Sequence, residues 1–473
     1  MARRTKIVAT LGPASCEPST IEQLVIAGMD VARLNCSHST PSERERLTKL
    51  VREAAARARR NVAVLLDLQG PKIRTGRNVD GQPIELHAGQ ELIITTRPVL
   101  GTPEMISTNY LSLPTDVRPG DRILLSDGAI SLVVLDVDYD SVRTQVVTGG
   151  VLRERQGINL PGVTVSAHAL TQKDRDDLQH GLRIGVDYVA LSFVRRPDDV
   201  REAKQFISSL GAKTPVIAKI EKPQAVDHLD RILSVSDGVM VARGDLGVEV
   251  PLEQVPAIQK RITRQARAHR RPVIVATQML ESMTVQERPT RAEVSDVANA
   301  IFDSADAVML SAETATGRYP VLAVETMSRI ATSAEAAEVT RPTQLEPHGG
   351  RSEAIAQAAC VLASGIHARA LVAMTRSGFT ARLISSFRPT TPIIAVTESE
   401  EVRRSLALWW GVTAIYQPFK PTMDETLSAL QERLLAEGLA SPGDSVIVVG
   451  GTPTGPRGRT NYFTLLDLPR SRT

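Results

Sequence analysis

Pro215-Val216-Ile217-Ala218-Lys219-Ile220-Glu221-Lys222 and Asp237-Gly238-Val239-Met240-Val241-Ala242-Arg243-Gly244-Asp245-Leu246 decide the fold. Each is a short apolar run that finishes in charge. Runs of this length, bounded by turn residues, suit strands covered on both faces. Lys219 and Glu221 are two apart, so on a strand they point to the same side. A cation and a carboxylate at the end of a buried strand are costly unless something uses them. Taken alone, they also suit a structural ion pair, and Asp245 suits a helix N-cap.

The same pattern recurs outward from these runs. Before them come Lys6 to Thr10, Asp30 to Leu34, Val62 to Leu66 and Tyr188 to Phe193. After them come Pro272 to Thr277 and Ala307 to Leu310. Helical spacing separates the runs, as in Ile21, Leu24 and Val25, with Gly28 as the expected stop. Thr40-Pro41-Ser42-Glu43 reads as a capping box opening the next helix. Eight strands alternating with helices predict a (β/α)₈ TIM barrel over residues 1–71 and 167–340. The rhythm breaks over residues 72–166, where alternating segments and turn signals such as Asp80-Gly81 and Asp127-Gly128 predict an inserted all-β domain. A polar stretch, Val339 to Arg351, reads as a linker. Residues 341–473 read as a C-terminal α/β domain with strands at Ala370 to Met374, Ile393 to Val396 and Ser445 to Val449.

Composition excludes several classes. The 473 residues are 42% hydrophobic and 23% charged, as in ordinary globular domains. The net charge of +3 comes without a basic stripe interleaved with aromatics, which argues against nucleic acid. No apolar run reaches membrane-spanning length, and the N-terminus shows no signal region, so a cytoplasmic location is expected. Three scattered cysteines, Cys16, Cys36 and Cys360, fit a reducing compartment.

The carboxyl ends of barrel strands carry the active site in this fold. Here they supply Arg33, Asn35, Asp67, Lys219, Glu221, Asp245, Thr277 and Ser311. Glu221 and Asp245 suit a hard cation completed by substrate oxygens, as Mg²⁺ is. Lys219 and Arg33 suit charge stabilisation on a transferring phosphoryl group. The residues by themselves point to Mg²⁺-dependent work on a small phosphorylated anion. In the C-terminal part, Thr375-Arg376-Ser377-Gly378-Phe379-Thr380 joins a strand to a helix and suits a bound phosphate. Gly450 to Gly458 is a second Gly-rich loop, equally readable as a surface turn.

The sequence resembles the pyruvate kinase family over nearly its whole length. The motifs are T-K-I-V-A-T-L-G-P-A-S from Thr5, A-R-L-N-C-S-H from Ala32 and L-D-L-Q-G-P-K-I-R from Leu66. I-A-K-I-E-K from Ile217, V-A-R-G-D-L-G-V-E from Val241, A-T-Q-M-L-E-S-M from Ala276 and R-P-T-R-A-E-V-S-D-V-A-N-A from Arg288 complete the series. The resemblance implies a barrel, an inserted small β-barrel lid and a C-terminal domain that carries effectors, assembled as a homotetramer. It implies phosphoryl transfer from phosphoenolpyruvate to ADP, giving pyruvate and ATP, with Mg²⁺ or Mn²⁺. By the same resemblance Glu221 and Asp245 are metal ligands, and Arg33, Lys219 and Thr277 act on the substrate. Gly244, Asp245, Thr277 and Ser311 hold the substrate. Asn35, His38, Arg74 and the lid's Asp127 face the nucleotide. Asn35, Ser37, Asp67 and the carbonyl of Leu68 match a monovalent-cation site. Thr375, Arg376, Ser377, Gly378 and Thr380 are the expected contacts of a phosphorylated effector.

The chain departs from the family's pattern at a few points. Gln156 stands where many relatives have lysine, with Arg153 and Arg155 nearby, and Cys36 stands where phenylalanine is common. Leu68, Gln69 and Lys72 resemble the relatives that work without K⁺, Lys72 replacing a glutamate; Thr75 is a mixed signal. Two rivals remain open: another (β/α)₈ enzyme acting on phosphoenolpyruvate or a 2-oxo acid, and a catalytically silent effector-binding protein.

Overall fold

The structure, a computed structural model, describes residues 3–337, 350–451 and 460–469. Most of the expected linker and of the loop at Gly450–Gly458 lies outside the described residues. Eight parallel strands close into a barrel: Lys6–Thr10, Val31–Asn35, Ala63–Asp67, Tyr188–Leu191, Val216–Ile220, Gly238–Ala242, Val273–Ala276 and Ala307–Leu310. Each pairs with its sequence neighbours, and the first closes on the eighth through Lys6–Ala307 and Ala9–Leu310. All eight runs fall where the apolar pattern predicts, within a residue or two at the ends. Asp30 falls outside the second strand; its carboxylate accepts the Ile7 N–H at 2.9 Å and pairs with Arg3 at 2.8 Å.

The helices between strands follow local signals. Helix Pro18–Ala27 stops at Gly28, whose φ of 126° belongs to glycine. Helix Pro41–Arg57 opens with the Thr40–Glu43 capping box. The outer core lies between strands and helices. The inner core is made of residues such as Val8, Leu65, Ile217, Met240, Ile274 and Met309, and Ala407 and Leu408 of the C-terminal domain join it. That domain therefore plugs the floor of the barrel.

Between the third and fourth barrel strands the chain builds a separate β domain. It holds a six-stranded sheet and a two-stranded ribbon, with a single α-helix, the four-residue Leu113–Asp116, and a short 3-10 turn at Val79–Gly81. The C-terminal sheet has five strands, in the order Val412–Tyr416, Ile393–Thr397, Ala370–Met374, Ser445–Gly450 and Tyr462–Asp467, the last antiparallel. The first and last were not expected from sequence. Both are edge strands with alternating exposure, so neither shows the continuous apolar run that marks a central strand.

Several contacts fix this domain under the barrel, three of them as follows. Arg404 Nε donates to Asp187 Oδ1 at 2.8 Å. Lys6 Nζ donates to the Val412 carbonyl at 2.8 Å. Arg388, buried, pairs with Asp306 at 2.8 Å and lies 4.6 Å from the Trp410 ring centre. No helix among the described residues is long and apolar enough to cross a membrane.

Candidate active site

The carboxyl ends of the barrel strands converge on Lys219. Its Nζ lies 2.8 Å from Glu221 Oε1, 3.2 Å from Asp67 Oδ1 and 2.7 Å from Ser192 Oγ. The same-side placement of Lys219 and Glu221 is thus realised, although Glu221 sits one residue past the strand. Arg33 Nε donates to Asp67 Oδ2 at 2.7 Å and its Nη1 to Thr10 Oγ1 at 2.9 Å. Both oxygens of the buried Asp67 therefore face tethered cations. Burial alone would raise Asp67, but Lys219 and Arg33 hold it below the ordinary carboxylate range. Burial alone would lower Lys219, but Asp67, Glu221 and Asp245 keep it firmly an ammonium.

Glu221 has a second support, the Phe193 N–H on Oε2 at 2.9 Å. Burial raises its carboxyl above the ordinary value; Lys219 opposes this and Asp245 adds to it. Asp245 is exposed and lies in the first turn of helix Arg243–Glu249, inside it rather than at its N-cap. Among the described residues no three His, Cys, Asp or Glu side chains form a metal cage. Two mutually repelling carboxylates, one buried and one open, fit a Mg²⁺ that takes its other ligands from substrate and water.

Thr277 follows the seventh strand at φ 71°, strained for a β-branched residue. Its Oγ1 accepts the Gly244 N–H at 2.8 Å, joining the two residues expected to share a carboxylate pocket. Arg243 holds the loop from below, donating to the Thr277 carbonyl at 2.7 Å and pairing with Asp296 at 2.7 Å. Ser311 Oγ is shielded from solvent and has no partner among the described residues.

The monovalent-cation residues also sit together, and two of their oxygens accept hydrogen bonds. Asn35 Oδ1 accepts the Ser37 N–H at 3.0 Å, and the Leu68 carbonyl accepts from Ser192 Oγ at 2.7 Å. Lys72 is half-buried. Burial lowers its ammonium, as do Arg74 and Lys219, against the pull of Asp245 and Asp67. It therefore feels the site's charges. His38 is largely exposed; partial desolvation, then the nearby charges of Lys72, Arg74 and Arg33, hold it below its usual value.

The β domain reaches this rim. Arg74 Nη1 donates to the Arg155 carbonyl at 3.0 Å. Gln156 turns inward, its Nε2 on the Glu154 carbonyl at 3.3 Å, while Arg153 and Arg155 are exposed. Asp127 is exposed in a turn whose next residue, Gly128, would place a Cβ 3.9 Å from Val248 of the Asp245 helix. Asn159 Nδ2 donates to Glu249 Oε1 at 3.3 Å. Sequence reasoning missed Asn159, Glu249 and Ser192. Ser192 had a signal: it is a polar residue at the end of the fourth strand, which, like the first, had no function assigned.

Family comparisons agree with this geometry. Residues 2–324 match the model of the pyruvate kinase barrel domain, and residues 353–466 that of the pyruvate kinase alpha/beta domain. The chain belongs to the pyruvate kinase family. Pyruvate kinase of Geobacillus stearothermophilus is 47% identical over 470 residues, 98% of this chain and 80% of that one. Pyruvate kinase of Corynebacterium glutamicum is 47% identical over 463 residues, 98% of this chain and 97% of that one. A crystal structure of a pyruvate kinase from Cryptosporidium parvum superposes with a TM-score of 0.92 at 38% identity, covering 99% of this chain and 96% of that one. As a member of the pyruvate kinase family, the protein is an enzyme, a transferase of the kinase class.

Proposed function

We propose that this enzyme transfers the phosphoryl group of phosphoenolpyruvate to ADP, giving pyruvate and ATP, with Mg²⁺ or Mn²⁺ and without K⁺. One observation carries the reading: a buried ammonium, Lys219, set between Glu221 and Asp67 at the barrel's carboxyl end, with Asp245 open beside it. Glu221 and Asp245 would hold the divalent cation, which would offset the charge of the phosphoryl group and of the substrate's carboxylate. Arg33 and Lys219 bind the phosphoryl oxygens. The bond from phosphorus to the enol oxygen breaks, and an oxygen of ADP's terminal phosphate forms the new bond. The electron pair left on the enol oxygen faces Lys219, whose fixed charge stabilises it. The enolate carbon then takes a proton from water held near Thr277, giving pyruvate. Gly244, Asp245, Thr277 and the unpartnered Ser311 hydroxyl hold the substrate's carboxylate end. Asn35, His38, Arg74 and Asp127 line the nucleotide's approach.

Work without K⁺ is supported by the cations that already face this group of residues. Arg33 and Lys219 occupy both sides of Asp67, Ser192 occupies the Leu68 carbonyl, and Lys72 adds a tethered charge nearby. The loop Thr375–Thr380 binds a phosphorylated effector, and the assembly is a homotetramer, which size-exclusion chromatography with light scattering tests. The primary test is ATP formation from phosphoenolpyruvate and ADP, with and without Mg²⁺, in buffer cleared of K⁺. No ATP with Mg²⁺ and both substrates present rejects the reading.

A further inference from the structure

The fourth barrel strand ends at Leu191, and the next two residues act on the site by different means. Ser192, 3% exposed, accepts a hydrogen bond from Lys219 Nζ at 2.7 Å and donates one to the Leu68 carbonyl at 2.7 Å. The direction is fixed by chemistry, because an ammonium only donates and a carbonyl only accepts. Phe193, at φ 60°, donates its N–H to Glu221 Oε2 at 2.9 Å. Positive φ at a bulky residue is strained, and such strain persists where the surrounding structure demands the geometry.

The three acceptors around Lys219 are not equivalent. Glu221 and Asp67 are carboxylates, which orient the ammonium but also offset its charge. Ser192 orients it and leaves the charge whole. Its own anchor, the Leu68 carbonyl, follows Asp67, which holds Arg33. Ser192 thus ties the ends of the third, fourth and fifth strands together. We infer that Ser192 is a positioning residue for phosphoryl transfer: it keeps the Lys219 ammonium aimed at the enol oxygen at full charge. No proton moves through it; the hydroxyl hydrogen stays on Ser192 Oγ, donated to the Leu68 carbonyl throughout. The inference rests on the reading of Lys219 as the group that stabilises the developing enolate.

The test is a double-mutant cycle on the full-length enzyme. Ser192→Ala lowers kcat about tenfold to a hundredfold, the scale of a lost hydrogen bond to a charged group, while KM for phosphoenolpyruvate changes far less. Ser192→Thr, which keeps the hydroxyl, restores most of kcat. In a Lys219→Met background Ser192→Ala adds no further loss, because its target has gone. A residue that only props up the fold would cost the same factor in both backgrounds, and that result overturns the inference. So does near wild-type kcat in Ser192→Ala. Should Ser192→Ala fail to fold, Ser192→Cys, similar in volume and a weak donor, is put through the same cycle. Lys219→Met alone reports on the parent reading: wild-type turnover there rejects the role of Lys219 itself.

Discussion

At the residue scale, the site is a problem of like and unlike charge in a small volume. Lys219 is held as an ammonium by Asp67, Glu221 and Asp245 despite burial. Lys219→Met keeps length and removes charge, so kcat should fall by about 10²–10⁴, the scale of losing one preorganised electrostatic group. Steady-state kinetics on protein with unchanged circular dichroism checks this, and near wild-type turnover rules it out. Lys72 gives a pH-dependent prediction. It is surrounded by Arg74, Lys219, Asp245 and Asp67, with His38 beside it, and burial with the neighbouring cations lowers it. Below its folded pKa it is charged and leaves little for K⁺ to add. As pH rises through that lowered value the ammonium is lost sooner than in an ordinary lysine. The wild type should therefore ignore K⁺ near neutrality and respond increasingly at alkaline pH, and Lys72→Glu should need K⁺ throughout. Rates with tetramethylammonium holding the ionic strength decide it; strong K⁺ activation of the wild type at neutral pH counts against it.

At the scale of elements, the strand–loop–helix unit from Ala370 to Ser386 is the effector candidate. Gly378 caps the helix at φ 82°, and Thr375 is buried. Arg376 is paired with Glu398 at 2.9 Å, and Thr380 Oγ1 meets Thr460 Oγ1 at 2.9 Å. A phosphate arriving there competes with Glu398 for the Arg376 guanidinium, a charge-assisted contact of the same kind. Crystals soaked with sugar phosphates or AMP should show density on Arg376, with a matching shift in the saturation curve for phosphoenolpyruvate. An empty loop and no kinetic response to any of them defeats the proposal.

At the scale of the whole molecule, that helix runs directly into the floor of the barrel. Two residues past its end, Arg388 pairs with Asp306, and Asp306 Oδ2 accepts the Val273 N–H at 2.9 Å. Val273 and Ala307 open the strands that lead to Thr277 and Ser311. Burial pulls Arg388 down to about 10, against the support of Asp306. Arg388→Met leaves Asp306 buried without its partner, which should cost about 3–5 kcal/mol. Calorimetry should show a lower melting temperature, with the C-terminal domain separating from the barrel as its own transition. A single transition at the wild-type temperature refutes this.

Much of this was legible in sequence, for physical reasons. A parallel barrel strand is buried on both faces, so Val216–Ile220 and Gly238–Ala242 announce themselves as unbroken apolar runs, and the charge that ends each run announces the rim. Capping and stop residues such as Thr40 and Gly28 act within a turn, so they too are local. The edge strands Val412–Tyr416 and Tyr462–Asp467 were missed because half their side chains meet solvent. Sequence placed Lys219 beside Glu221 because they stand two apart at the end of one strand run, where the extended period of two carries on for one residue. It had no means to put Asp67, distant in the chain, on the same ammonium, or Ser192 between Lys219 and the Leu68 carbonyl. Barrel closure decided those contacts, and it also decided that Ala407 and Leu408 fill the barrel floor. Local chemistry determines which groups stand at strand ends; only the packing of the whole chain determines which of them meet.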